Sequence, residues 1–269
     1  MRKVGYPSDV NDAEWSVIEA VMKEVEPYKT GRPLETNLRV IWNAIFYINR
    51  TGCQWAYLPN DFPPPTTINH HYMKWIRNGV YERVNDELRE RLRKKEGRNE
   101  NPSAGIIDSQ SVKGTLEAGH IESGFDGGKL VKGRKRHILV DTNGYIIEIV
   151  SHAANIADSV GGRVVLERAF ERLEGIKRIW ADSAYQGMID WTLEKFSCVL
   201  EVVNKKENQK GFEVLRRRWV VERSLGWLTR FRRLSKDYER LPESSEAMGY
   251  IASIKLSLNR IGNGISKFC

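Results

Sequence analysis

Residues 135–153 read KRHILVDTNGYIIEIVSHA, two β-branched apolar runs on either side of DTNG. Asn and Gly tolerate the positive φ of a tight two-stranded connection, so Asn143 and Gly144 predict the turn of a β-hairpin. Upstream, GIIDSQSV (105–112) opens with another apolar run that ends in Asp108. Three strands in succession follow from these runs. Downstream, Asp158 and Ser159 can cap a helix that carries Val164, Val165, Leu166, Ala169, Phe170 and Leu173. GIKRIWADSAYQG (175–187) then gives a fourth strand ending at Asp182, followed by a helix over about 188–196. CVLEVVNK (198–205) is a fifth strand, and a long helix begins near 213.

The resulting order is βββαβαβα, with acids at the ends of the first and fourth strands and on the last helix. Such an order predicts an α/β, ribonuclease H-like fold: a mixed five-stranded sheet with helices on both faces. Before it the pattern is helical. Residues 8–25 form an opening helix with Ser8 or Asp9 as cap and Trp15, Ile18, Val21 and Met22 at helical spacing. After GRP (31–33), Leu38, Ile41, Trp42, Ile45 and Ile48 line a second helix over about 36–50. The turn-rich RTGCQWAYLPNDFPPPTT (50–67) leads into a third helix, roughly 66–78, and a fourth over about 79–94. Small helices joined through a Pro-rich turn fit a helix-turn-helix-like DNA-binding module or a cap that only packs on its neighbour. RKKEGRNENPSAG (93–105) is charged, then rich in Asn, Pro, Ser and Gly, which marks a linker. The expected division is a small all-α DNA-binding domain at 1–94, a linker at 95–104 and a catalytic domain at 105–269.

A net charge of +8 points to a polyanionic partner, since clustered Lys and Arg displace the counterions condensed on nucleic acid. Cys53, Cys198 and Cys269 are far apart and never form a CxxC pair, which excludes a disulfide framework and a cysteine zinc cluster. The most apolar early run, VIWNAIFYI (40–48), is too short to span a bilayer, and no signal-peptide run opens the chain. A soluble cytoplasmic protein is expected, associated with the nucleoid when active.

One aspartate at a strand end is ordinarily a turn cap or an ion-pair partner. Two at neighbouring strand ends, Asp108 and Asp182, repel each other unless a cation holds both ionised, and a hard divalent metal with oxygen ligands does so. The third acid lies in RRRWVVERSLGW (216–227), where Glu222 stands among Arg216, Arg217, Arg218 and Arg223. On a helical wheel it shares a sector with Arg218, Thr229, Arg233 and Lys236. An Arg218 to Glu222 pair would stabilise the helix by only about 0.2–0.5 kcal/mol, too little to explain so organised a strip. Three carboxylates on two Mg²⁺ about 3.5–4 Å apart would instead clamp both oxygens of an in-line phosphoryl displacement. The surrounding arginines would hold the phosphates that the acids repel.

Taken together, NDAEW (11–15), GRP, RTGCQWAYLPNDFPP, IIDSQSVK, KGRKRHILVDTNG, ADSAYQG and RRWVVERSLGWLTRFRRLSKDYE resemble the DDE transposases of bacterial insertion sequences. The resemblance is to the "insertion sequence five" family, related to the "insertion sequence four" group, and runs over nearly the whole chain. It implies that Asp108, Asp182 and Glu222 are the catalytic acids and metal ligands, for Mg²⁺ with Mn²⁺ as a substitute. Arg218 fits the arginine of the Y-(2)-R-(3)-E-(6)-K signature. Leu215 and Thr229 depart from its tyrosine and lysine, which leaves Arg223, Arg230, Arg232, Arg233 and Lys236 as candidate phosphate ligands. Of the basic stretch of Lys113, Lys132, Arg134, Lys135, Arg136 and His137, about half are expected to touch the transposon end or flanking strand. His70 and His71 lack zinc partners, and Trp55 either stacks on a base or packs in the core.

The implied activity is cut-and-paste transposition: the enzyme binds terminal inverted repeats, hydrolyses DNA at the element's ends, and joins the 3′-hydroxyls to target DNA. The implied partners are double-stranded DNA and a second copy of the chain, as a homodimer or higher oligomer on DNA. Two rival readings are a catalytically silent, transposase-derived repressor and another ribonuclease H-like nuclease.

Overall fold

In the computed structural model, which describes residues 5–25, 37–115, 119, 121–203 and 218–262, DTNG forms the turn between β3 (Val131–Asp141) and β4 (Ile146–Ala153). The Asp141 carboxylate accepts from the backbone N–H of Asn143 and of Tyr145, each at 2.9 Å, and Gly144 takes a φ of +89°. An aspartate that organises its own turn, followed by a glycine at positive φ, is what that short sequence can do cheaply.

On the other side of β3 lies β1 (Ala104–Lys113), antiparallel, with Asp108 opposite Ile138. Beyond β1 the sheet continues with β5 (Arg178–Ala181) and β6 (Val199–Val202), both parallel to it. This is the ribonuclease H-like arrangement of three antiparallel strands followed by parallel ones. A short strand, β2 (Gly124–Asp126), pairs with the start of β3 and brings the sheet to six strands among the described residues, where five were expected. Three residues are too few to show a period, so it left no mark in the pattern.

Alternation along the strands splits the core into two layers. Ile106, Ile138 and Val140 face one side, while Ile107, Leu139 and Ile147 face the other. The second side is covered by α5 (Asp158–Arg172) and α6 (Ile189–Phe196). The first is covered by α7 (Arg218–Leu228), α8 (Pro242–Gly262) and the helical region, α1 (Asp12–Val25), α2 (Leu38–Thr51), α3 (Pro65–Arg77) and α4 (Val80–Lys95). Trp42 stacks on Trp75 at 5.2 Å at the centre of the helical region. Trp55 lies 5.2 Å from Tyr72 and half-buried against the same cluster, a packing role. No helix among the described residues is long and apolar enough to cross a membrane.

Several expectations need correction. The first helix starts at Asp12, not near 8, because Asn11 and Glu14 form a reciprocal capping box at 2.9 Å. The cap of α5 is Ala157, and the Asp158 side chain turns elsewhere. The last helix does not run on from Glu222 to Lys236. It ends at Leu228, the chain turns inward to bury Phe231 and Leu234, and α8 follows as a separate element that the sequence pattern does not mark off. Thr229, Arg233 and Lys236 are therefore off the helical face of Glu222. The GRP motif, Leu215 and Cys269 lie outside the described residues.

Candidate active site

Parallel register brings the first two acids together. Ile106 of β1 is opposite Trp180 of β5; two residues further come Asp108, still in β1, and Asp182, the first residue after β5. Period-two alternation keeps both on the side of Ile106 and Trp180, the side covered by α7. Asp108 Oδ1 accepts from the Ser109 N–H at 2.7 Å. Asp182 caps a 3-10 turn, Ser183–Met188, by accepting from the Ala184 N–H at 2.9 Å.

The hairpin holds α7 in place over them. Ser224 Oγ donates to the Gly144 carbonyl at 2.9 Å and Arg223 donates to the Asn143 carbonyl at 2.7 Å. A Cβ at Gly144 would fall 2.7 Å from Ser224 Oγ, so the close approach requires glycine twice over, for space and for φ. From this helix the Arg218 guanidinium reaches 3.7 Å from Asp182 Oδ2 and 3.7 Å from Glu222 Oε1. One cation thus bridges the second and third acids.

Burial, and after it the neighbouring Asp182 carboxylate, push the Asp108 carboxyl up to about 6, against the pull of the Ser109 N–H and Arg218. Among the described residues no three His, Cys, Asp or Glu side chains gather tightly enough to enclose a metal ion, and Arg218 lies between two of the acids. The donor set is nonetheless all oxygen. It includes a carboxyl whose pKa burial raises beside a second carboxylate, and a hard divalent cation would relieve that repulsion.

Comparison with known proteins agrees with this geometry. Residues 99–254, more than half of the chain and spanning Asp108, Asp182 and Glu222, match the family model described as "Transposase DDE domain". The chain belongs to this family. Residues 10–85 match a second model, "Putative transposase of IS4/5 family". Over 116 residues the chain is 29% identical to a Burkholderia cepacia protein described as "Putative transposase for insertion sequence element IS402", an alignment covering 40% of this chain and 54% of that protein. The matched region therefore spans about half the length of that relative.

Within this DDE transposase domain the expected basic residues separate by burial. Lys113 and Lys132 are exposed near the shared end of β1 and β3, and Arg230, Arg232 and Lys236 are exposed after α7. Arg134, Lys135, Arg136, His137 and Arg233 are buried, and Arg223 is half-buried. Arg134 is buried, donates to the carbonyls of Ile121, Glu122, Glu239, Arg240 and Leu241, and pairs with Asp237 at 3.3 Å. Arg136 is buried with Nε and Nη1 unpartnered, and burial lowers its pKa. Lys135 pairs with Asp158 at 3.2 Å, and His137 is wholly buried. Arg233 is buried against Glu239 at 2.6 Å, and Arg223, besides holding Asn143, lies between the rings of Trp219 and Trp227 at 4.6 Å from each. The five buried ones lie inside because β3 is covered on both faces and the chain folds back after Leu228.

Sequence reasoning missed Lys129, an exposed lysine whose charge bears on Asp108, because it sits in a glycine-rich turn away from the basic run. It also missed Ser109, Asp158 and Tyr185, which lie behind the acids. The adjacent glycines Gly161 and Gly162 inside α5 were the available signal for them.

Proposed function

We propose that this chain is a DNA transposase that cleaves at the ends of an insertion sequence and joins the freed ends to target DNA. The observation that carries the reading is the placement of Asp108 and Asp182 abreast on parallel strands with Arg218 linking Asp182 to Glu222. Domains of this family depend in general on divalent metal. Mg²⁺, with Mn²⁺ as a substitute and two ions per site, would supply water activation and charge neutralisation at the phosphodiester when bound. Asp108, Asp182 and Glu222 are the residues that would hold it.

In the first reaction water adds to the scissile phosphorus and the P–O3′ bond breaks, freeing a 3′-hydroxyl. In the second that hydroxyl attacks a target phosphodiester, so one P–O bond forms as another breaks. The chain's own part is to hold phosphates beside the acids. Arg218 is closest, and Lys113, Lys132, Arg230, Arg232 and Lys236 offer an exposed basic surface for the duplex. The helical region is proposed to bind the terminal repeats, with two copies of the chain on each pair of ends.

Purified protein should nick terminal-repeat DNA with Mg²⁺ or Mn²⁺ and join 3′-ends to a target plasmid. Asp182→Ala should bind the same DNA and leave it uncut. An alanine variant that cuts at the parent rate would remove the acids from the mechanism. Nicking without joining would favour a nuclease.

A further inference from the structure

Behind the two aspartates, on the face of the sheet opposite α7, lies a cluster of polar side chains that the proposed chemistry does not use. Ser109, next to Asp108 and pointing the other way, donates from Oγ to Asp158 Oδ1 at 2.7 Å. The same carboxylate oxygen lies 3.2 Å from Lys135 Nζ and 3.7 Å from His137 Nε2. Burial raises the Asp158 carboxyl, but the Ser109 hydroxyl and Lys135 outweigh it and hold it below the usual range. His137 Nδ1 is 2.9 Å from the Tyr185 hydroxyl. Tyr185 ties the cluster to the second acid, since its N–H donates to the Asp182 carbonyl at 3.2 Å.

The rings are deeply buried, His137 at 0% and Tyr185 at 1% exposure; His137 Nδ1 meets the Tyr185 hydroxyl, while Nε2 has no hydrogen-bond partner and faces Asp158 from 3.7 Å. Burial and the neighbouring His152 keep His137 neutral. A tautomer with its proton on Nε2, the atom facing Asp158, accepts at Nδ1 from the Tyr185 O–H.

A second observation shows that the contact is built. A Cβ at Gly161 would sit 2.1 Å from His152 Nε2 and 2.5 Å from His137 Nε2. One at Gly162 would sit 2.8 Å from Tyr185 Cε1 and 2.8 Å from Met188 Sδ. Adjacent glycines weaken a helix. Here they let α5 settle directly onto the imidazole pair and onto the turn that carries Asp182.

We propose that Ser109, Asp158, His137 and Tyr185 are positioning residues which, clamped by α5, hold the backbone under Asp108 and Asp182 and so keep the two carboxylates in place for a divalent cation. The proposal rests on the metal-dependent reading above. Groups that hold a metal's ligands from behind orient them, and their removal typically costs about 10–100-fold in metal affinity or activity.

The test uses the full chain with Mn²⁺ alone as probe, titrated by calorimetry and by its paramagnetic resonance signal, alongside DNA affinity and thermal unfolding. Tyr185→Phe should stay folded and bind DNA as the parent does. Its Mn²⁺ affinity should fall about 10–100-fold, and its cleavage should recover as Mn²⁺ is raised. Asp158→Ala should lose as much, with Asp158→Asn, which still accepts from Ser109, partly restoring affinity. If Asp158→Ala does not fold, Ser109→Ala makes the same cut in the cluster. Folded Tyr185→Phe and Ser109→Ala chains that bind Mn²⁺ with parental affinity would overturn the proposal. Asp182→Asn separates the two levels. If it weakens Mn²⁺ binding while Tyr185→Phe does not, the network alone is refuted; if it too leaves Mn²⁺ binding unchanged, the metal reading falls and the positioning role with it.

Discussion

Lys132 and Arg134 are two residues apart on β3, yet one is exposed and the other nearly inaccessible. That difference assigns them to different free energies. Lys132→Ala removes a charge from the surface, so DNA affinity should weaken and the salt dependence of log K should flatten by about 0.9 for each phosphate the chain no longer neutralises, with no change in thermal stability. Arg134→Met would leave Asp237 buried without its partner and five carbonyls short of a donor, a destabilisation of about 3–5 kcal/mol in denaturant unfolding. A stable Arg134→Met chain with reduced DNA affinity would reverse the assignment. The sequence could not separate the two residues, because from Gly133 onward β3 is buried on both faces and polar and apolar positions no longer alternate by exposure. Asp108 and Asp182 were legible for the opposite reason. An acid that ends an apolar strand run stands out by itself, and parallel pairing then brings two of them abreast.

At the scale of the element, α7 is fixed at its base and open along the face of the acid. Gly226, one turn after Glu222, has nothing within 4 Å of where a Cβ would stand, whereas Gly144 beneath the helix has Ser224 Oγ at 2.7 Å. Gly226→Ala should therefore stabilise the protein by about 0.5–1 kcal/mol, the usual difference between the two residues within a helix. Gly144→Ala should destabilise it, through both the close contact and the positive φ, and should loosen the seat of Glu222. Chemical denaturation of the pair reads both signs. A Gly226→Ala chain less stable than its parent would mean that the open face is packed. The existence of α7 was legible from the spacing of Val221, Leu225 and Leu228, but its end was not. The residues after Leu228 keep a helical composition, and the burial of Phe231 and Leu234 against other elements ends the helix there.

For the whole molecule the question is whether the two matched regions, 10–85 and 99–254, behave as separate folding units. The packing argues for one. A single apolar cluster runs from Ile18, Trp42, Phe46 and Leu88 through Ile106 and Ile138 to Ile251 and Leu258, with α8 at its centre. Polar bonds follow the same route: Asn49 Nδ2 donates to the Met248 carbonyl at 2.9 Å, Tyr72 to the Ser244 carbonyl at 2.8 Å, and Asn85 Nδ2 to the Ile146 carbonyl at 2.9 Å. The charged stretch that reads as a linker is tied as well. Arg93 forms a buried pair with Asp141, and Glu96 accepts from the Tyr145 hydroxyl at 2.5 Å, both on the hairpin. No local pattern carries this information, since the partners of α8 lie up to 246 residues away in the chain. The full chain should accordingly unfold in one calorimetric transition, with van't Hoff and calorimetric enthalpies equal. A fragment of residues 1–98, deprived of α8 and the sheet, would expose that cluster and should show helical circular dichroism without a cooperative melt or dispersed amide resonances. A fragment that melts sharply by itself, or a full chain with two resolved transitions, would show that the helical region folds independently and that α8 joins it only by docking.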